Sequence, residues 1–175
     1  MTIGSKAIAI IISMIMMIYN SFDTQEDRVA YMNDVWSRTN DSIRYELPIE
    51  FQANACGMTV EEYTYLARVI EAESDRTDSI EGKILICAVI LNRVASDEFP
   101  NTIQGVLDQS GQFDTTSGGW CSTSDTGSSR WSIVVCLREM ENGNIPEDLL
   151  YFNANGYFSW GTPYCYQDGN YFSLG

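Results

Sequence analysis

Residues 79–94 read SIEGKILICAVILNRV, with eight consecutive apolar positions, Ile84 to Leu91, at their centre. Periodicity alone cannot separate a buried strand from a buried helix in so short a run. The flanks decide. Ser79 followed by Glu81 is a helix start, and apolar character resumes at Val94 beyond Asn92-Arg93. The stretch therefore predicts a helix of about 13 residues, apolar on all sides and wrapped by the rest of its domain.

Working outward, residues 59–73 read TVEEYTYLARVIEAE. Thr59 to Glu62 form a capping-box pattern, and Tyr63, Leu66, Ala67 and Ile70 recur at helical spacing. This helix runs out near Ser74-Asp75-Arg76. On the other side, Phe99-Pro100 marks a stop. Asp108 to Ser129 is rich in Gly, Ser and Thr, with Gln112, Phe113 and Trp120 embedded; a loop of that length in a compact domain is usually functional. Ile133, Val134, Leu137 and Met140 predict a third helix, closed by Asn142-Gly143. From Leu149 the tail alternates and is dense in Tyr, Phe and Trp, with Asp168-Gly169 as a hairpin turn. The pattern is that of a mainly helical α+β domain with a small aromatic-rich β hairpin region at its C-terminus.

Composition narrows the chemistry. The 175 residues hold 10 Lys plus Arg against 24 Asp plus Glu, a net charge of -14, and no histidine. Ser-His and Cys-His catalytic pairs and His-ligated metals are excluded. Nucleic acid is disfavoured as a partner, because such binding draws on cationic side chains. A hydrophobic share of 45% is enough for a packed core. Any catalysis must rest on carboxylates, hydroxyls, amides or thiols, with no cofactor or metal expected.

Residues 1–22 read as an export signal or a membrane anchor. Ala7 to Tyr19 is apolar but for Ser13, follows Lys6, and precedes the first acid, Asp23. The run fits a signal peptide and falls short of the ~20 residues of a spanning helix. Neither a cleaved signal nor an uncleaved anchor with Lys6 inside is excluded. Residues 23–58 carry seven acids and three arginines and read as an acidic stalk with short helical pieces around Asp27 to Trp36. Residues 59–175 are the functional domain. Five cysteines, Cys56, Cys87, Cys121, Cys136 and Cys165, would then meet an oxidising compartment. Cys87 and Cys136 lie in apolar runs and read as small buried hydrophobes, whereas Cys121 and Cys165 are the more natural disulfide.

Glu71 and Glu73 end the first domain helix. A carboxylate at the edge of an apolar face is partly desolvated, as a general acid requires. Helix geometry places Glu73 slightly nearer the Tyr63–Leu66–Ile70 stripe, by too little to choose between the two. Tyrosines and tryptophan to stack on sugar rings, amides such as Gln112 and Asn153, and few cations together suit a neutral polysaccharide groove.

These residues carry a resemblance. Leu66 to Glu73 (LARVIEAE), Glu81-Gly82-Lys83, Ala88 to Val94 (AVILNRV), Phe99 to Ile103 (FPNTI), Gly111-Gln112-Phe113 and Leu150 to Asn153 (LYFN) resemble the cell wall hydrolase family typified by the SleB-like spore cortex-lytic enzymes. The match runs in order through residues 59–175. It implies a lysozyme-like single domain that cleaves the glycan strand of peptidoglycan between MurNAc and GlcNAc, with peptidoglycan as partner and the catalytic glutamate at Glu73. It also implies lytic transglycosylation with one essential carboxylate. Hydrolysis would need a second, for which Asp75 or Asp114 are the candidates. Gln112, Tyr151, Tyr171 and Asn170 are the substrate-binding candidates; Asn170 stands where the family keeps a histidine, and the turn after Glu73 is longer than usual. The rival readings are a non-catalytic wall-binding module with the same groove, and a surface scaffold linked through a free cysteine.

Overall fold

A computed structural model describes residues 5–74, 79–113, 116, 117 and 120–175. Asp75 and Asp114, the two candidates for a second carboxylate, lie outside the described residues, as does most of the turn after Glu73. The chain divides into two compact units, Met1–Val60 and Glu61–Gly175.

In the first unit, α1 (Ser5–Tyr19) contains the whole N-terminal apolar run, and no described helix is long and apolar enough to cross a membrane. It is followed by α2 (Gln25–Arg38), α3 (Asp41–Arg44) and α4 (Ile49–Ala55). Thr24 caps α2, accepting from the Asp27 amide at 3.1 Å, and Asn40 caps α3 in the same way through the Ile43 amide at 3.2 Å. The acidic segment is thus folded. Met32, Val35, Ile43, Leu47 and Phe51 form one buried cluster with Ile15 of α1. Such short helices are marginal alone and hold because they share an apolar core.

The second unit opens with α5 (Val60–Glu73), whose Tyr63, Leu66, Ala67, Val69 and Ile70 are fully buried. Next, α6 (Ile80–Ala95) is the predicted central helix, with Ser79 accepting from the Gly82 amide at its start. It packs against α7 (Ile103–Leu107), α8 and β3. Among its described residues the long Gly-Ser-Thr loop contains the two-residue strands β1 (Thr116–Ser117) and β2 (Trp120–Cys121) before α8 (Gly127–Glu141). Asn142 caps α8, and Gly143 follows with φ 71°. The C-terminal region is more than a hairpin. Strands β3 (Leu149–Asn153), β4 (Thr162–Gln167) and β5 (Asn170–Leu174) form an antiparallel sheet in the order β3-β5-β4. Asp168 and Gly169, at φ 52° and 85°, make the tight turn between β4 and β5.

None of the five cysteines forms a disulfide. The expected Cys121–Cys165 bridge is not formed. Cys121 is buried, with its Sγ 3.8 Å from the Arg68 carbonyl of α5, while Cys165 sits on the edge strand β4 opposite Phe172. Cys87 and Cys136 are fully buried, as their apolar surroundings predict.

Candidate active site

The C-terminal end of α5 brings two carboxylates to the first turn of α6. Glu71 and Glu73 are both half-buried, and the helix closes on Ser74, whose amide bonds the Ile70 carbonyl. Glu71 is engaged on two sides. The Lys83 ammonium lies 3.3 Å from its Oε1 and 3.2 Å from its Oε2, and Thr126 donates its hydroxyl to Oε2 at 2.7 Å. Lys83 is 1% exposed and also reaches the Ser128 hydroxyl at 3.3 Å. A cation so deeply buried costs several kcal/mol in desolvation unless paired, so Glu71 compensates Lys83. Thr126 in turn caps α8 with Ser129 in a reciprocal capping box. The network therefore joins the end of α5 to the starts of α6 and α8.

At the other end of α6, Asn92 donates to the carbonyls of Pro146 and Leu149 at 2.9 and 3.0 Å, and the Arg93 Nε to that of Leu150 at 2.7 Å. These bonds hold β3 against the helix. The Arg93 guanidinium is 4% exposed and lies 5.0, 5.8 and 5.6 Å from the ring centres of Phe99, Phe113 and Tyr151. Burial pushes its pKa down to about 10, and it stays charged at neutral pH. Its Nη1 donates to the Gln112 Oε1 at 3.0 Å. Here a cavity of about 390 Å³ opens, lined by Arg93, Gln112, Tyr151, Asn153, Phe158 and Trp160 among others.

A family model described as Cell Wall Hydrolase matches residues 77–170, more than half of the chain. The chain belongs to that family. Among curated relatives, a spore cortex-lytic enzyme of Bacillus subtilis (strain 168) is 28% identical over 130 residues, 73% of this chain and 39% of that one. A spore cortex-lytic enzyme of Bacillus cereus is 28% identical over 111 residues, 61% of this chain and 41% of that one. The chain thus spans about two-fifths of the length of these curated relatives. Among solved structures, the catalytic domain of the Bacillus cereus SleB protein aligns with a TM-score of 0.54 at 22% identity, covering 66% of this chain and 91% of that one. The catalytic domain of the germination-specific lytic transglycosylase SleB from Bacillus anthracis aligns with a TM-score of 0.55 at 23% identity, covering 67% and 97%. The fold is that of SleB catalytic domains: mainly helical, with a small antiparallel sheet.

In this cell wall hydrolase the sequence-derived site residues fall into separate places. Glu73 is the last residue of α5 and precedes the family-matched segment by a few residues. Gln112 and Tyr151 line the cavity together. Tyr171 pairs with Asn153 across β5 and β3 and so shares its face; its ring packs between Tyr157 and Tyr166 at 5.0 and 4.7 Å. Asn170 is buried, paired with Gln167 at the Asp168-Gly169 turn, and alternation puts it on the Phe172 face instead. Sequence reasoning missed Lys83, Thr126, Ser128 and Trp160. A lysine within an apolar helix was the one local signal available, and it points to a buried partner rather than to which one.

Proposed function

We propose that the chain cleaves the glycan strand of peptidoglycan between MurNAc and GlcNAc as a lytic transglycosylase, with Glu73 as its single acid and base. Family membership supports the reaction class. The choice of residue rests on the resemblance, which puts the catalytic glutamate at Glu73, and the observation that supports it is the half-buried place of Glu73 as the last residue of α5, where partial desolvation favours a protonated carboxyl.

Glu73 begins protonated and gives its proton to the glycosidic oxygen, so that GlcNAc leaves with a 4-hydroxyl. The C6 hydroxyl of the MurNAc attacks its own C1, and the Glu73 carboxylate takes the hydroxyl proton. The new C1–O6 bond leaves a 1,6-anhydro end, and Glu73 returns to its starting state. A hydrolase of this type would instead use a second carboxylate roughly 5 to 9.5 Å away on the other side of the sugar.

Purified peptidoglycan digested with the wild type and examined by mass spectrometry tests this. The proposal expects new 1,6-anhydro ends. Reducing ends alone would make the enzyme a hydrolase, and no release with retained wall binding would make it a binding module.

The N-terminal unit is proposed to act after export, holding the enzyme at a membrane surface. Ile10, Met14, Met17 and Ile18 recur along one side of α1 and stay exposed while Ile15 is buried. An apolar stripe with no protein cover suits a helix lying in the interface plane. In cell fractionation the wild type should sediment with membranes and a Met14→Asp, Met17→Asp variant should not; equal release of both would refute the tether.

A further inference from the structure

From Leu149 to Gly175 the only charged side chain is Asp168, in a protein of net charge -14. This neutral segment carries the β3-β5-β4 sheet, whose two edges differ. The β3 edge is taken by α6, where Asn92 and Arg93 donate to the Leu149 and Leu150 carbonyls. The β4 edge has no such cover. Among the described residues, the hydrogen bonds of the β4 main chain all go to β5. We propose that β4 pairs with β4 of a second copy of this chain, antiparallel about a two-fold axis at Tyr166, to form a homodimer through one continuous sheet.

The turn sets which main-chain groups face outward. Gln167 and Asn170 flank the two-residue Asp168-Gly169 turn, so they form a hydrogen-bonded pair that exchanges both its bonds. Alternation then makes Tyr166 and Tyr171 a non-hydrogen-bonded pair, and the Tyr166 N–H and C=O point away from β5. An outward donor and acceptor on one residue are self-complementary in an antiparallel ladder: Tyr166 of each copy satisfies Tyr166 of the other. The strand is blunted at its start, by Pro163 and by the bulge between Pro163 and Cys165. Its second half, Tyr164 to Gln167, carries no charge to hold another strand off. Tyr164 and Tyr166 are 39% and 57% exposed there.

Charge selects the occupant. A charged partner finds no countercharge on this strand, and two copies of so acidic a chain repel over most of their surface. The neutral edge lets them meet without opposing like charges. Centring the pair on Tyr166 places each Asp168 opposite Tyr164 of the other copy. The two Asp168 residues are then four strand positions apart, about 13 Å at 3.4 Å per residue and beyond the physiological screening length. The two Tyr166 rings lie side by side on the face where each already packs on its own Tyr171, at 4.7 Å. The assembly also closes. Each sheet has its β3 edge taken by its own α6, so pairing stops at two copies and does not propagate into a fibre.

The test is sedimentation velocity on the full chain carrying Met14→Asp and Met17→Asp, so that the exposed stripe of α1 does not mediate association. Over about 1 to 100 μM this protein should pass from monomer to dimer and form nothing larger. Adding Tyr166→Lys, which sets two like charges opposite each other, should weaken association at least about tenfold. The monomer's melting temperature should hold, because the Tyr166 side chain is largely exposed. Tyr166→Pro, which removes the outward N–H and leaves the bonds to β5, should act the same way. Hydrogen exchange locates the contact: the Tyr166 amide should be protected at high protein concentration and exposed on dilution, with the Gln167 amide protected at both. A chain still monomeric at the top of the range, or a dimer that survives both Tyr166 substitutions, would overturn the proposal. So would a monomer whose Tyr166 amide is protected only when peptidoglycan is added, which would give the edge to the wall polymer. None of these readouts depends on turnover, so the dimer and the catalytic proposal fail separately.

Discussion

The two ends of α6 each bury a cation, and they hold it by different physics. At the first turn Lys83 is met by the Glu71 carboxylate and the Ser128 hydroxyl. In the last turn Arg93 is met by a main-chain carbonyl, the Gln112 amide oxygen and three aromatic rings, with no acid among the described residues. An ammonium is compact and strongly hydrated, so its burial calls for a countercharge. A guanidinium is planar and weakly hydrated, so π-faces and neutral acceptors satisfy it. At the lysine end Glu71 is drawn into the scaffold; at the arginine end no carboxylate among the described residues meets the guanidinium, and the Gln112 amide that accepts from it borders a cavity.

Replacing Lys83 should be the most damaging way to break this contrast. Lys83→Met leaves Glu71 without its cation and should cost about 3 kcal/mol in chemical denaturation, with part of the loss recovered when Glu71→Leu is added. A single variant as stable as wild type would mean the pair is not compensating burial. Arg93→Lys tests the other end. The swap keeps the charge but loses the planar stack and the fork geometry that reaches both Leu150 and Gln112, so about 2 kcal/mol of stability should go. An unchanged melting curve would show that charge alone matters there.

Gly82→Ala gives the smallest effect and a sign that depends on its neighbour. Alanine favours a helix over glycine by about 1 kcal/mol, but its Cβ would stand 2.7 Å from the Asp168 carboxylate. The substitution should be destabilising in the wild type and stabilising in an Asp168→Gly background, where the left-handed turn is kept and the clash removed. Stabilisation in both would mean that the sheet turn does not abut the helix.

What the sequence revealed was what is local. The α5 and α6 helices, the Asn142-Gly143 stop and the Asp168-Gly169 turn each depend on neighbours within a few positions, and each stands where the pattern puts it. The packed N-terminal unit was not legible, because α2 to α4 are short and polar-rich and gain their stability only from burying Ile15 and its partners. The surroundings of Glu71 were equally out of reach of periodicity. It is held by Lys83 and Thr126, 12 and 55 positions along the chain. The family resemblance favoured Glu73 without any of that geometry. For Cys121 and Cys165, loop composition suggested proximity, but burial of one against α5 and the place of the other on an edge strand keep them unpaired.

The central claim is the division of labour between Glu71 and Glu73, and the most direct test sets Glu73→Gln beside Glu71→Gln on purified peptidoglycan, with turnover and melting temperature measured for each. Glu73→Gln should lose about a hundredfold or more in kcat while melting like the wild type. Glu71→Gln should melt lower and, below its melting range, keep most of its turnover. A Glu73→Gln protein that still cleaves at the wild-type rate, or a Glu71→Gln protein that is fully stable and inactive, would contradict the account.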